Sequence, residues 1–154
     1  MLQPTRHSLF LPTEESTDAL GQLLARYLMP GDTVLLTGPI GSGKSHLSRA
    51  IIRARLGRME DVPSPTFTLV QTYDDPLGEI WHADLYRLSH PDDVLELGLE
   101  DAFSTAICLV EWPDRLGPLA PANAIHLSLA TEENGRRALI CFAGRPDLAG
   151  ALHD

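Results

Sequence analysis

The segment LLTGPIGSGKSHLSR, residues 35–49, restricts the fold more than any other part of the chain. Gly38 to Ser45 satisfy the pattern G-x-x-x-x-G-K-[ST] in full. That pattern needs a buried strand before it and a helix after it. Glycines let backbone N–H groups turn inward around a phosphate, and the N-terminus of the following helix adds partial positive charge. Both flanks are present: TVLLT at 33–37 has the make-up of a fully buried strand, and residues 44–56 read as a helix ended by Gly57. In that setting Lys44 would reach the β- and γ-phosphates of a nucleoside triphosphate, and the Ser45 hydroxyl would ligate magnesium. The alternative is a glycine-rich turn that binds nothing.

Composition bears on the choice. Of twelve basic residues eleven are arginine, and the single lysine is Lys44. A compact, flexible point charge is kept at the one place where a planar fork does not fit. The formal charge of −9 comes with no basic block, which argues against a surface that grips nucleic acid by its phosphates. At 154 residues the chain is read as a single domain, 1–154, long enough to bury roughly two-thirds of its unfolded surface. Cys108 and Cys141 sit in apolar runs and are read as reduced core residues rather than a disulfide or metal site. The N-terminal residues have no apolar core of signal-peptide length, and no apolar run approaches membrane-spanning length. The expected compartment is the cytoplasm.

Along the chain, HSLFL at 7–11 reads as a short strand, and Thr13 as the N-cap of a helix reaching about Leu28. DVPSPT at 61–66 reads as loop, because two prolines bracket Ser64. FTLVQTY and EIWHADLY predict a hairpin turning at DDPLG, residues 74–78. A short helix is expected over 91–97, a buried strand over 106–112, and a second hairpin, AIHLSLAT and RRALICFAG, around EENG.

A phosphate loop needs an acid for its metal, and two carboxylates end apolar or alternating runs. Glu111 follows AICLV, and Asp84 closes EIWHAD. Both would face the nucleotide crevice if their strands neighbour the loop strand. Either could instead be a surface acid or a helix cap. Thr66 offers a hydroxyl that could follow the γ-phosphate or metal, or it could simply flank the next strand. Arg87 could stabilise transferred charge or pair with Asp84 or Asp101. The six histidines show no metal-ligand spacing, and His46 and His82 are read as packing residues.

Taken together, GPIGSGKSHLSR, SPTFTLVQTY, HADLYRL, ELGLEDAF and CLVEWPDRLG, in that order, resemble the TsaE (YjeE) family over roughly residues 10–140. The resemblance implies a phosphate-loop nucleoside-triphosphatase-like α/β fold, three layers on a mixed central sheet, with its core over about 10–143. It implies an ATP–magnesium site and weak hydrolysis by the isolated protein. It also implies work beside a TsaB–TsaD pair that modifies the adenosine next to the tRNA anticodon, so that tRNA is met only through the partners. By the family pattern Gly38, Ile40, Gly41, Ser42, Gly43, Lys44 and Ser45 hold the phosphates, and Ser45 and Glu111 take the metal. Asp84 and Thr66 would serve hydrolysis or switching alongside Lys44, and Trp112 coupling. Glu14 and Gly135 would lie near the nucleotide.

Two positions depart from the family: Ser45 stands where it usually has Thr, and His46 where it usually has a second hydroxyl. A small-molecule kinase would share the phosphate loop but needs an acceptor pocket and a mobile lid, and no Arg-rich lid segment is found. A GTP switch of the N-K-x-D type is excluded, because the only lysine is Lys44.

Overall fold

The computed structural model describes residues 6–39, 41–57, 62, 69–88, 92–142, 145 and 148. In chain order these form β1 (Arg6–Leu11), α1 (Glu14–Tyr27), β2 (Thr33–Thr37), α2 (Lys44–Leu56), β3 (Val70–Asp75) and β4 (Gly78–Asp84). There follow α3 (Asp92–Leu97), α4 (Leu99–Thr105), β5 (Ile107–Glu111), a kinked 3-10 segment (Pro113–Leu119), β6 (Ile125–Glu132) and β7 (Gly135–Phe142).

The strands make one seven-stranded sheet in the order β1-β7-β6-β2-β5-β4-β3. Strand β2 is parallel to β5 and β6, and β4 is parallel to β5. Antiparallel pairs β6–β7, β1–β7 and β3–β4 extend the sheet at both sides, so it is mixed.

Side-chain alternation sends each strand's residues to two separate cores. Val34, Leu36, Leu109 and Leu127 face Leu20 and Leu24 of α1 and Leu47 and Ile51 of α2. Leu35, Ala83, Cys108 and Val110 face Val94, Leu99 and Ala102 of the two short helices, with Leu116. Helices therefore cover both faces, which gives the expected α/β three-layer arrangement. Burial on both faces explains why TVLLT and AICLV read as continuous apolar runs rather than alternating ones.

Local chemistry sets the helix ends. Thr13 Oγ1 accepts from the Ser16 N–H at 3.2 Å and Ser16 Oγ accepts from the Thr13 N–H at 2.9 Å, a reciprocal cap for α1. Gly57 takes the left-handed conformation, φ 70°, and donates to the Arg53 carbonyl, ending α2.

Four sequence expectations are corrected. The first hairpin turns at Pro76–Leu77 alone, since Asp74 and Asp75 remain in β3 and Asp75 pairs with Gly78. An ion pair from Arg55 to the Asp75 carboxylate holds that acid in place. Strand β4 stops at Asp84, not Tyr86. Gly98, φ 81°, separates α3 from a further helix, α4, that has no counterpart in the sequence reading. Strand β5 ends at Glu111 because Trp112 turns to φ 57°. Pro91 and the 63–66 loop lie outside the described residues. Among the described residues no helix is long and apolar enough to cross a membrane.

Candidate functional site

The parallel strands bring their carboxyl ends to one edge. The register pairs Leu36 with Glu111 and Asp84 with Glu111, so the two acids stand side by side next to the end of β2. Register partners share a face, and for these residues it is the face covered by α1 and α2. The glycine-rich loop leaves β2 at the same edge and delivers Lys44 and Ser45 on the first turn of α2. A cavity of about 520 Å³ opens there, with Lys44, Ser45, Asp84 and Glu111 on its wall.

Glu111 is 2% exposed and fully engaged. Its Oε1 accepts from the Ser45 hydroxyl at 2.9 Å, and its Oε2 accepts from His82 Nε2–H at 2.6 Å. Asp84 Oδ1 accepts from the Tyr86 N–H at 3.0 Å. Burial, reinforced by the neighbouring Glu111 charge, holds the Asp84 carboxyl above the usual carboxylate range; the Tyr86 N–H, His82 and Lys44 act in the opposite sense.

Lys44 is folded into its own loop. Its ammonium donates to the Gly38 carbonyl and, at 3.1 Å, to the Pro39 carbonyl, and lies 4.4 Å from the centroid of the Trp112 ring. Burial lowers its pKa, while Glu111 and Asp84 raise it. Trp112 in turn packs on Tyr86, ring centroids 4.9 Å apart. Its left-handed backbone is a costly conformation for a bulky residue, and it directly follows Glu111.

Of the residues singled out in the sequence, Gly41, Gly43, Lys44, Ser45, Asp84, Arg87, Glu111 and Trp112 line this one cavity, and Glu14 from the first turn of α1 joins them. Gly135 lines an adjoining cavity of about 230 Å³ that shares Glu14 and Gly41 with the first. A Cβ on Gly135 would come 2.5 Å from the Leu11 carbonyl oxygen, so the late hairpin and the end of β1 meet closely here. The side chain of Ser42 is buried beside Gly38. Ile40 and Thr66 lie outside the described residues.

The chemistry of the donor set fits magnesium and a triphosphate. Ser45 and Glu111 present hard oxygens in contact, and no group of three or more His, Cys, Asp or Glu able to hold a metal by itself exists among the described residues. Magnesium characteristically takes one or two protein oxygens and completes its shell with phosphates and water. A second cavity of similar size lies between α1 and α2, lined by Asp18, Gln22, His46 and Arg53. It lacks the hydroxyl–carboxylate pair and the loop, so chemistry assigns the site to the first.

Comparison with known proteins bears on the family and the fold. The family model for threonylcarbamoyl adenosine biosynthesis protein TsaE matches residues 11–139. The chain belongs to the TsaE family. Among curated TsaE proteins it is 38% identical to that of Rickettsia bellii over 136 residues, 88% of this chain and 94% of the other. The Haemophilus influenzae protein is 33% identical over 133 residues, covering 82% and 84% of the two chains. That of Nostoc sp. is 37% identical over 134 residues, covering 84% and 81%. Each of these relatives is named as a tRNA threonylcarbamoyladenosine biosynthesis protein. The crystal structure of Bacillus subtilis YdiB superposes with a TM-score of 0.82 over 99% of this chain and 97% of that one, at 23% identity, and shares the fold.

For this TsaE-family chain, His82 and Arg136 are among the residues at the site that were not singled out from sequence. His82, read there as packing, is wholly buried but bonded to Glu111. Its spacing of two from Asp84 in EIWHAD was the available signal, since strand residues i and i+2 share a face. Arg136 faces the loop beside Gly43 and had no signal beyond following Gly135. His46 bonds Asp18 Oδ1 at 2.8 Å, tying α2 to α1, and its ring also borders the site.

Proposed function

We propose that this chain is the ATP-binding, weakly ATP-hydrolysing subunit of tRNA threonylcarbamoyladenosine biosynthesis, acting in the cytoplasm with a TsaB–TsaD pair. Family membership carries the pathway: the chain takes part in tRNA threonylcarbamoyladenosine biosynthesis. What supports nucleotide chemistry is one observation above others, the Ser45–Glu111 contact at the foot of a complete G-x-x-x-x-G-K-S loop.

In this reading the backbone N–H groups from Gly38 to Ser45 cradle the phosphates, and Ser45 and Glu111 hold the metal. Magnesium, when bound, neutralises charge that develops on the phosphate oxygens. Lys44 exchanges the carbonyls of Gly38 and Pro39 for phosphate oxygens. Asp84, next to Glu111 and above the ordinary carboxylate range, orients water and takes its proton. Thr66 follows the γ-phosphate, and Trp112, in contact with Lys44, passes the occupancy of the loop toward the partner. The charge of −9 without a basic block supports leaving the tRNA to the partners.

Co-precipitation of the chain with TsaB and TsaD under ATP, ADP and no nucleotide tests the reading. ATP should favour the complex by a coupling of about 1–3 kcal/mol, and Thr66→Ala should keep nucleotide binding while losing that preference. Equal association under all three conditions overturns the switch. No measurable affinity for ATP overturns the nucleotide site.

A further inference from the structure

Arg136 stands at the start of β7, where its backbone is fixed from both sides: it pairs with Leu11 of β1 and Thr131 of β6. Its guanidinium packs against Gly43 of the phosphate loop. A Cβ on Gly43 would come 2.7 Å from Nη1, 3.0 Å from Cζ and 3.2 Å from Cδ of this arginine. Nη1 is buried and has no hydrogen-bond partner among the described residues. Glu14, Asp84 and Glu111 line the same cavity, yet none of them accepts from that nitrogen.

An arginine does not escape such a position by losing its proton, because guanidinium stays charged at any working pH. A desolvated donor without an acceptor is costly, and the group that relieves it best is an anion with paired oxygens matching the planar fork. The loop beside it is built to hold phosphates, and Gly43 is the last residue before Lys44.

We infer that Arg136 is a second cationic ligand for the nucleotide, supplied by the β6–β7 hairpin and directed at the diphosphate rather than at the terminal phosphate. The inference rests on the nucleotide reading of the site given above. Its direction follows from the two cavities. Arg136 lines both, together with Glu14 and Gly41, so it stands where they meet. Lys44, Asp84, Glu111 and Trp112 line only the larger one and mark the end where metal and terminal phosphate would gather. A diphosphate bridging the two regions passes the guanidinium. The two cations then divide the work, Lys44 toward the terminal phosphate and Arg136 toward the part that ATP and ADP share.

The test uses calorimetric titration of the full chain and its Arg136→Gln and Arg136→Lys variants with ATP, ADP and adenosine, plus thermal melting without nucleotide. Arg136→Gln should weaken ATP and ADP alike, by roughly ten-fold or more, as expected for loss of a charge-assisted hydrogen bond. Adenosine binding should not change, and Arg136→Lys should fall between. The nucleotide-free melting temperature of Arg136→Gln should not drop, because Nη1, the buried nitrogen of the fork, has no hydrogen-bond partner among the described residues to lose. If the wild type binds ATP and ADP and Arg136→Gln binds them equally well, the inference fails. A loss of affinity accompanied by a lower nucleotide-free melting temperature also overturns it, making Arg136 a prop for the loop. If the wild type binds neither nucleotide, the reading beneath the inference fails first.

Discussion

His82 Nε2–H donates to Glu111 Oε2 across 2.6 Å, with the imidazole entirely buried and the carboxylate almost so. The other carboxylate oxygen holds Ser45, so one acid straps β4 to α2 through β5. With its proton on Nε2, His82 leaves only a bare acceptor, Nδ1, without a partner among the described residues. His82→Ala would strand a buried carboxylate with a single donor. The expected loss of folding stability is about 1–3 kcal/mol. In a double-mutant cycle with Glu111→Ala the two losses should be clearly less than additive, since each variant removes the same bond. Additive losses in urea denaturation would show that the contact is not energetically coupled.

The two carboxylates at the site should differ in kind. Glu111 touches the hydroxyl that would share the metal, whereas Asp84 is bonded to the Tyr86 N–H and reaches no loop residue by a described hydrogen bond. Glu111→Ala should raise the Kd for ATP in magnesium while changing it little in chelator. Asp84→Ala should leave binding nearly intact and lower the hydrolysis rate, by around 10²-fold or more for loss of a general base. Wild-type binding and turnover in both variants would remove both residues from the site.

Asp84 also makes a pH prediction. Burial and then Glu111 raise its carboxyl pKa above the ordinary 3.8, so the folded state holds that proton more tightly than the unfolded chain does. Its contribution favours folding below the ordinary value and is lost as pH rises through the raised one. At neutral pH the ionised group therefore costs stability. Asp84→Asn should melt at a higher temperature than wild type at pH 7 in the absence of nucleotide, and the advantage should vanish toward pH 4. An equal gain at both pH values would mean that charge is not the cause.

Where the chain carries a strong local signal, the fold was readable in advance. The loop, its strand and its helix follow from glycine geometry and apolar runs, and both hairpins follow from turn residues flanked by alternation. The hairpin limits were not readable, because the Arg55 guanidinium that keeps Asp75 in its strand comes from 20 residues away. Helix α4 was missed because two short helices joined at Gly98 carry too few turns for a periodic stripe. At the site, Glu111 and Asp84 stood out because each ends a strand. His82 and Arg136 did not, since their significance lies in neighbours brought by β5 and by the loop, which no local pattern encodes.

Lys44 and Trp112 supply a direct readout of the loop. The ammonium sits 4.4 Å from the Trp112 ring centroid while it donates to the carbonyls of Gly38 and Pro39. To reach a phosphate it must release those carbonyls, and a cation moved relative to an indole changes the field on the ring. Nucleotide binding should therefore change tryptophan emission. The chain has two tryptophans, and Trp81 packs beside Gly98, at the junction of α3 and α4. Trp112→Phe should silence the signal and Trp81→Phe should preserve it. Lys44→Ala should abolish it while the protein still melts cooperatively, because the lost phosphate contact is worth a ten-fold or greater change in affinity, roughly 1.5–3 kcal/mol. A nucleotide-dependent signal that survives in Trp112→Phe, or unchanged ATP affinity in folded Lys44→Ala, would mean that the lysine does not leave its carbonyls for the ligand.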